Sequence, residues 1–341
     1  MFIVNSYGLA VFFCFIIMLC WGSWGNTQKL AAKSWRYELF YWDYVIGMVI
    51  LSLILAFTLG SLGPVGRPFL QDLAQADKAS IISIIIGGVI FNLSNICLSA
   101  STSIAGMSVA FPVGCGLALV LGVINNLRVE VSQGALKSNL SLLALGVALV
   151  VVAVVINGVA SGKKAGNAEI GKADQRKGII LAIISGIVMS FFSSFVMKAM
   201  DLNDFANMAA GKVGPYTAMV IFALAVLVSH FVFGPIFMTW PFQGEPVKMS
   251  EYFKGNAKTH LVGMLGGCIW CIGTALSYIA AGKAGASVSY ALGQGAPMVA
   301  AIWGVFVWKE FKGSSKKVYN LLGLMFLFFI VGLGLIVAAG M

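Results

Sequence analysis

Long apolar runs alternate with short polar connections along the whole chain. Roughly 20 helical residues, at about 1.5 Å each, cross about 30 Å of hydrocarbon. Runs of that kind are predicted at 7–26, 38–60, 80–101, 105–127, 138–159, 178–198, 215–238, 260–281, 285–308 and 318–339. They are about twice as long as barrel strands and lack alternating polarity, so the chain is read as an all-α polytopic membrane protein with ten transmembrane helices. The first run has no basic segment ahead of it and ends on Trp21 and Trp24 instead of small residues, so it is read as a retained helix.

Composition agrees with a bilayer protein. Hydrophobic residues make up 60% of the 341 and charged residues 10%, with a mean hydropathy of +0.95, too few charges to clothe a soluble globule. The net charge of +10 does not point to nucleic acid, because the basic residues are distributed by connection. The connections at 27–37, 102–104, 160–177, 239–259 and 309–317 hold 15 of the 22 Lys and Arg, and the others hold 7. The positive-inside rule makes the richer set cytoplasmic, with both termini extracytoplasmic on a multi-pass protein of the plasma (inner) membrane. The six cysteines all fall inside predicted spans and are read as structural thiols; Cys268 and Cys271 have the spacing of a redox or zinc pair but no second pair beside them. No metal or cofactor is implied.

The stretch GMSVAFPVGCG at 106–116 is rewritten as GASVSYALGQG at 285–295, with Gly, Ser, Val, Gly and Gly in register at a spacing of 179 (285 − 106). The same offset sets Asn95 opposite Thr274 and Phe111 opposite Tyr290. The first copy opens the fourth span and the second opens the ninth, so the period is five spans. A second half that enters after an odd number of crossings runs upside down relative to the first, which predicts two inverted five-helix repeats. The first covers 1–159 and the second 178–341, with a cytoplasmic linker at 160–177. Inverted repeats are a transporter architecture, because a site between the halves opens to either side as they exchange conformations. Gly263 and Gly267, in GxxxG spacing, are expected at a close helix contact. The linker stretch GVASGKK at 158–164 fails as a phosphate-binding loop: three residues separate its glycines where four are needed, and Lys stands where Ser or Thr would bind the metal.

Polar and aromatic residues inside the spans turn inward, since lipid disfavours them. Asn92, Asn95 and Ser99 share one face of the third predicted span, and Trp270, Thr274 and Ser277 share one face of the eighth. With Trp24, Tyr290 and Gln294 they suit a neutral, flat solute that hydrogen-bonds to amides and hydroxyls and lies against rings. The expected solute-binding set is Trp24, Asn92, Asn95, Trp270, Thr274, Tyr290 and Gln294. An enzyme would need a paired catalytic set, and only His230 and His260 exist, far apart, so no catalytic residue is assigned. His230 is read as a packing residue and His260 as a cap at the cytoplasmic start of the eighth predicted span.

The segments YWDY at 41–44, LGSLGPVGRPFL at 59–70, GGVIFNLSN at 87–95, KGIILAIISGIVMSFFSSF at 177–195 and AIWGVFVWKEFKGSSKKVYNLLG at 301–323 resemble the ureide permease family of the drug/metabolite transporter superfamily, related to glucose/ribose and rhamnose porters. The resemblance runs over nearly the whole chain. It implies ten helices in two inverted halves and secondary, proton-coupled uptake of ureides and nucleobases. Plant members carry a long central loop; the short one here suggests a bacterial relative. The resemblance also singles out Asp43 as a proton-coupling residue, against the plainer reading of an interfacial carboxylate paired with Lys33 or Arg36. The expected function is secondary transport of a neutral small solute, a ureide or nucleobase, with a neutral monosaccharide or drug/metabolite export as alternatives. The expected partners are the solute, protons and membrane lipid, for a monomer or homodimer.

Overall fold

The computed structural model describes residues 1–32, 35–165 and 172–341. Lys33, the side chain of Phe111 and residues 166–171 of the linker, which entered the sequence reading, lie outside what is described.

The helices are α1 (Tyr7–Ala31), α2 (Tyr37–Phe57), α3 (Phe69–Gln75), α4 (Lys78–Ala105), α5 (Met107–Ser132), α6 (Leu140–Ala165), α7 (Lys172–Ala199), α8 (Pro215–Thr239), α9 (Ala257–Ala284), α10 (Ala286–Gly293), α11 (Ala296–Ile302) and α12 (Lys316–Ala339). A π-helical turn, Trp303–Val307, follows α11, and a 3-10 turn, Met249–Lys254, precedes α9. Among the described residues ten helical segments are long and apolar enough to span a membrane; α10, α11 and the π turn together make the ninth. The short α3 lies in the connection after α2 and was not expected. The stretch expected to fail as a phosphate loop lies inside α6, where Ser161 is only 2% exposed.

Local chemistry sets the ends of these helices. Asp77 caps α4 by accepting from the Ser80 amide at 2.5 Å, and Asn256 caps α9 by accepting from the Thr259 amide at 2.9 Å. Gly106 joins α4 to α5 at φ +82°, and Gly285 joins α9 to α10 at φ +84°, a backbone region that glycine alone enters without strain. These caps and hinges stand 179 residues apart (256 − 77 and 285 − 106), the spacing of the sequence repeat. The packing follows the same exchange: α4 lies on α7 and α9 on α1, while α8 lies on α4 and α2 on α9.

Polarity is arranged inside out. Phe12, Leu19, Ile54, Val155, Val228, Phe231 and Ile330 face outward, whereas Asn92, Asn95, Ser99, Thr274 and Ser289 are buried. The connections gather at two ends. At one, Arg67 donates to the Met208, Ala209 and Lys212 carbonyls, Lys137 to Gly282, and the Met1 ammonium to Gly63 and Val65. At the other, Lys29 pairs with Glu310, Arg36 with Glu38 and the Gln243 and Glu245 carbonyls, Lys177 with the Phe242 carbonyl, and Ser101 with that of Gly178. The five connections that together hold 15 of the 22 Lys and Arg thus share one end.

Candidate functional site

Asp43 sits two turns into α2 and is fully buried. Its Oδ2 accepts from Trp35 Nε1 at 3.1 Å; its Oδ1 accepts from the Tyr252 hydroxyl at 2.6 Å and lies 2.8 Å from His260 Nδ1. The donors come from the connection before α2, the 3-10 turn before α9, and α9 itself. Gly263 of α9 allows the approach, for a Cβ there would press on the Asp43 side chain. A buried carboxylate needs such partners, because desolvation without them is costly. Burial and the adjacent carboxylate both push the Tyr252 phenol above its usual range, so it stays a donor.

The expected partners differ. Arg36 turns instead to Glu38 at 2.7 Å. His260 does not cap α9, a role Asn256 takes; one turn further on, it reaches Asp43. Nothing in the sequence placed His260 and Tyr252, 217 and 209 residues away, beside Asp43.

A second group is built around Tyr41 and Tyr44, which flank Asp43 on α2. Asn95 Nδ2 donates to the Tyr41 hydroxyl at 3.2 Å; the Tyr41 and Tyr44 rings stack at 5.3 Å, and Trp24 lies 5.2 Å from Tyr44. Gln28 Nε2 donates to the Ser99 carbonyl at 3.2 Å. Gln28 Oε1, Ser99 Oγ, Tyr44 Oη and Asn92 Oδ1 are buried with no hydrogen-bond partner among the described residues, each at a cost of about 1–3 kcal/mol if nothing meets it. Gln28 escaped the sequence reading because the first span was expected to end at 26, whereas α1 continues to Ala31.

The remaining expected residues spread around this group. Asn92 Nδ2 donates to Ser229 Oγ at 2.8 Å and to the Val226 carbonyl, bracing α4 on α8. Trp270 lies 4.2 Å from Phe91 and stacks on Phe222. Thr274 Oγ1 accepts from Trp21 Nε1 at 3.2 Å, and Tyr290 donates to the Ala118 carbonyl at 3.3 Å. Gln294 occupies the break between α10 and α11, and the π turn beyond it is tied to α1 by Trp303 Nε1 donating to Ser23 Oγ at 2.9 Å. Interrupted spans of this kind line substrate sites in transporters, since protein can satisfy their freed backbone groups.

Glu130, near the end of α5, was not singled out from sequence. It is buried and accepts from the Ser287 amide at 3.1 Å and hydroxyl at 2.6 Å, capping α10 at the Met1 end.

Among the described residues, ten candidate spans around an amide- and ring-lined interior that holds two buried carboxylates, Asp43 and Glu130, with one interrupted helix, define a polytopic membrane transporter. The ureide permease family model matches residues 40–176 and 163–339, and the chain belongs to the ureide permease family. Ureide permease 1 of Arabidopsis thaliana is 24% identical over 390 residues, covering 99% of each chain. An L-rhamnose-proton symporter of Yersinia pestis bv. Antiqua (strain Antiqua) is 27% identical over 186 residues, covering 53% of this chain and 52% of its own. One crystal structure superposes with a TM-score of 0.58 at 14% identity over 96% of each chain, a likeness of fold. The relatives are permeases, and this chain is a transporter, not an enzyme.

Proposed function

We propose that the protein is a secondary active transporter in the plasma (inner) membrane that moves a neutral, flat, hydrogen-bonding solute by alternating access, coupled to protons at Asp43. The observation that carries this reading is the buried group around Gln28 and Tyr44, whose Oε1 and Oη have no hydrogen-bond partner among the described residues and stand beside the Trp24 and Tyr41 rings and the Asn95 amide, with no charged side chain in the group. Such a lining matches the amide edges of a ureide or nucleobase. A neutral monosaccharide is the second reading, favoured by the relative named an L-rhamnose-proton symporter.

Alternating access draws support from the spacing of 179 residues shared by the Asp77 and Asn256 caps and the Gly106 and Gly285 hinges. As the third and eighth spans, five crossings apart, α4 and α9 run in opposite directions, as inverted repeats require. Residues 1–159 and 178–341 are then the two halves. Asp43 Oδ1 and His260 Nδ1, 2.8 Å apart, join α2 of one half to α9 of the other. A proton held between them would be gained or lost as the halves rock.

The solute is tested by thermal shift of purified protein against allantoin, uracil, xanthine, glucose, ribose and rhamnose. A ligand at 100 times its Kd stabilises the folded state by about 2.7 kcal/mol. Asn95→Ala and Gln294→Ala are expected to weaken the active compound about three- to tenfold, the value of one neutral hydrogen bond, with expression unchanged. Parental affinity in both variants would make these residues packing elements.

The base-rich end is assigned to the cytoplasm. In a background lacking the native cysteines, Gln71→Cys is expected to react with an impermeant thiol reagent in intact cells and Ser250→Cys to resist it. Both positions are exposed, at opposite ends. The reverse pattern would invert the topology.

A further inference from the structure

The ninth span is tied at each end to a different helix. At the Arg36 end it is tied to α1: Trp303 Nε1 donates to Ser23 Oγ at 2.9 Å, Trp308 Nε1 donates to Asn26 Oδ1 at 2.7 Å, and Lys29 pairs with Glu310. At the Met1 end it is tied to α5, where the Glu130 carboxylate accepts from the Ser287 amide and hydroxyl of α10. Between the two ties the span is broken at Gln294, so α10 can shift without pulling on the tie at the Arg36 end.

Glu130 is an unusual cap. Asp77 and Asn256 cap their own helices from three residues away, whereas Glu130 reaches α10 from 157 residues away across the bundle. It is 1% exposed, and removing a carboxylate from water is costly; a fixed helix would be served by a local Ser or Asn. Gly285 makes room for it: a Cβ there would stand 2.5 Å from Glu130 Oε1. Gly285 is also the hinge at φ +84°, so α10, Ala286–Gly293, is a short rigid piece between a glycine hinge and a helix break. The other bond from α10 to α5, Tyr290 to the Ala118 carbonyl at 3.3 Å, is longer and uncharged, which leaves Glu130 the stronger tie. Behind α10 lies Cys14 of α1, fully buried beside Ser289.

We propose that α10 is the gate at the Met1 end and that Glu130 is the positioning residue that holds it shut. Opening swings α10 about Gly285 and the break at Gln294, and exchanges the two Ser287 bonds for water. The charge of the carboxylate sets how firmly the gate closes, because bonds to a charged acceptor are about twice as strong as neutral ones. The inference rests on the transporter class and not on which solute is carried, and its test needs no solute.

The test is the rate at which N-ethylmaleimide labels Cys14 in the purified full chain, in a background that keeps Cys14 as its one cysteine. Cys14 is shielded by α10 and reacts when the gate is open. Glu130→Gln keeps the shape and removes the charge, and is expected to speed labelling about five- to tenfold, the difference between a charge-assisted and a neutral hydrogen bond. Ser287→Ala removes the hydroxyl donor and is expected to speed it about tenfold or more. The double variant is expected to fall well below the product of the two effects, since one tie cannot be broken twice. A matching background that keeps Cys271 alone, fully buried on α9, reports unfolding and is expected to label at the parental rate in every variant. Parental Cys14 labelling in both single variants would leave Glu130 the cap of a fixed helix, and a double variant equal to the product would mean that the two residues do not form one latch; either result overturns the proposal. If Glu130→Gln exposes Cys271 as well, it has unfolded and Ser287→Ala decides alone: faster Cys14 labelling supports the gate, and parental labelling overturns it.

Discussion

Asp43→Asn is expected to abolish uphill uptake driven by an imposed pH gradient while counterflow exchange of labelled for unlabelled solute continues. The carboxylate takes three hydrogen bonds from Trp35, Tyr252 and His260, and an amide of the same size fits the same space. Asn presents an NH2 where one acceptor oxygen stood, so one of the three bonds is lost, at about 1.5–3 kcal/mol for a bond to a charged group. Typical folding stabilities of about 5–15 kcal/mol absorb that loss. What Asn cannot do is bind and release a proton, so exchange, which needs no net proton movement, is spared. Full gradient-driven accumulation by the variant would remove Asp43 from the coupling.

Gly267→Ala is expected to damage the fold itself. On α9, a Cβ at Gly267 would overlap the Tyr44 carbonyl of α2, and one at Gly47 of α2 would overlap the backbone of Met264. Neither helix can yield by moving a flexible side chain, because the obstacles are main-chain atoms. Overpacking typically costs about 1–3 kcal/mol, and this contact belongs at the upper end. A lower melting temperature and a smaller monodisperse yield are expected, with looser seating of Asp43 against His260, since those residues ride on the same two helices. Gly323→Ala and Gly334→Ala in α12 are the controls. Their added methyls meet nothing within 4 Å, and Ala favours helix over Gly by about 0.8–1 kcal/mol. A parental melting temperature for Gly267→Ala would mean that α2 and α9 do not pack this closely.

The spans were legible because hydropathy alone marks what can reside in lipid. Their ends were less so: α1 continues past its apolar run through Gln28 and Lys29, and α6 through Gly162 and Lys163, since a helix persists in polar surroundings where hydropathy has fallen. The GxxxG spacing at Gly263 and Gly267 marked a close helix contact, because small residues are needed wherever backbones meet, but not that its partner is α2. The interior was only partly legible. Helical spacing set Asn92, Asn95 and Ser99 on one face, but not that Asn92 would brace Ser229 while Asn95 met Tyr41. Asp43 stood out as a carboxylate inside a span; its partners did not, because Tyr252 and His260 reach it only through tertiary packing, which no local periodicity encodes.

Gradient-driven uptake by the purified parent protein tests the central claim most directly. Proteoliposomes loaded at neutral pH and diluted into acidic medium would be supplied with labelled allantoin, uracil or L-rhamnose, with and without a protonophore. Accumulation of one of these above its external concentration, abolished by the protonophore, is the expected result. Equilibration that never exceeds the external concentration and ignores the pH gradient would contradict proton-coupled secondary transport.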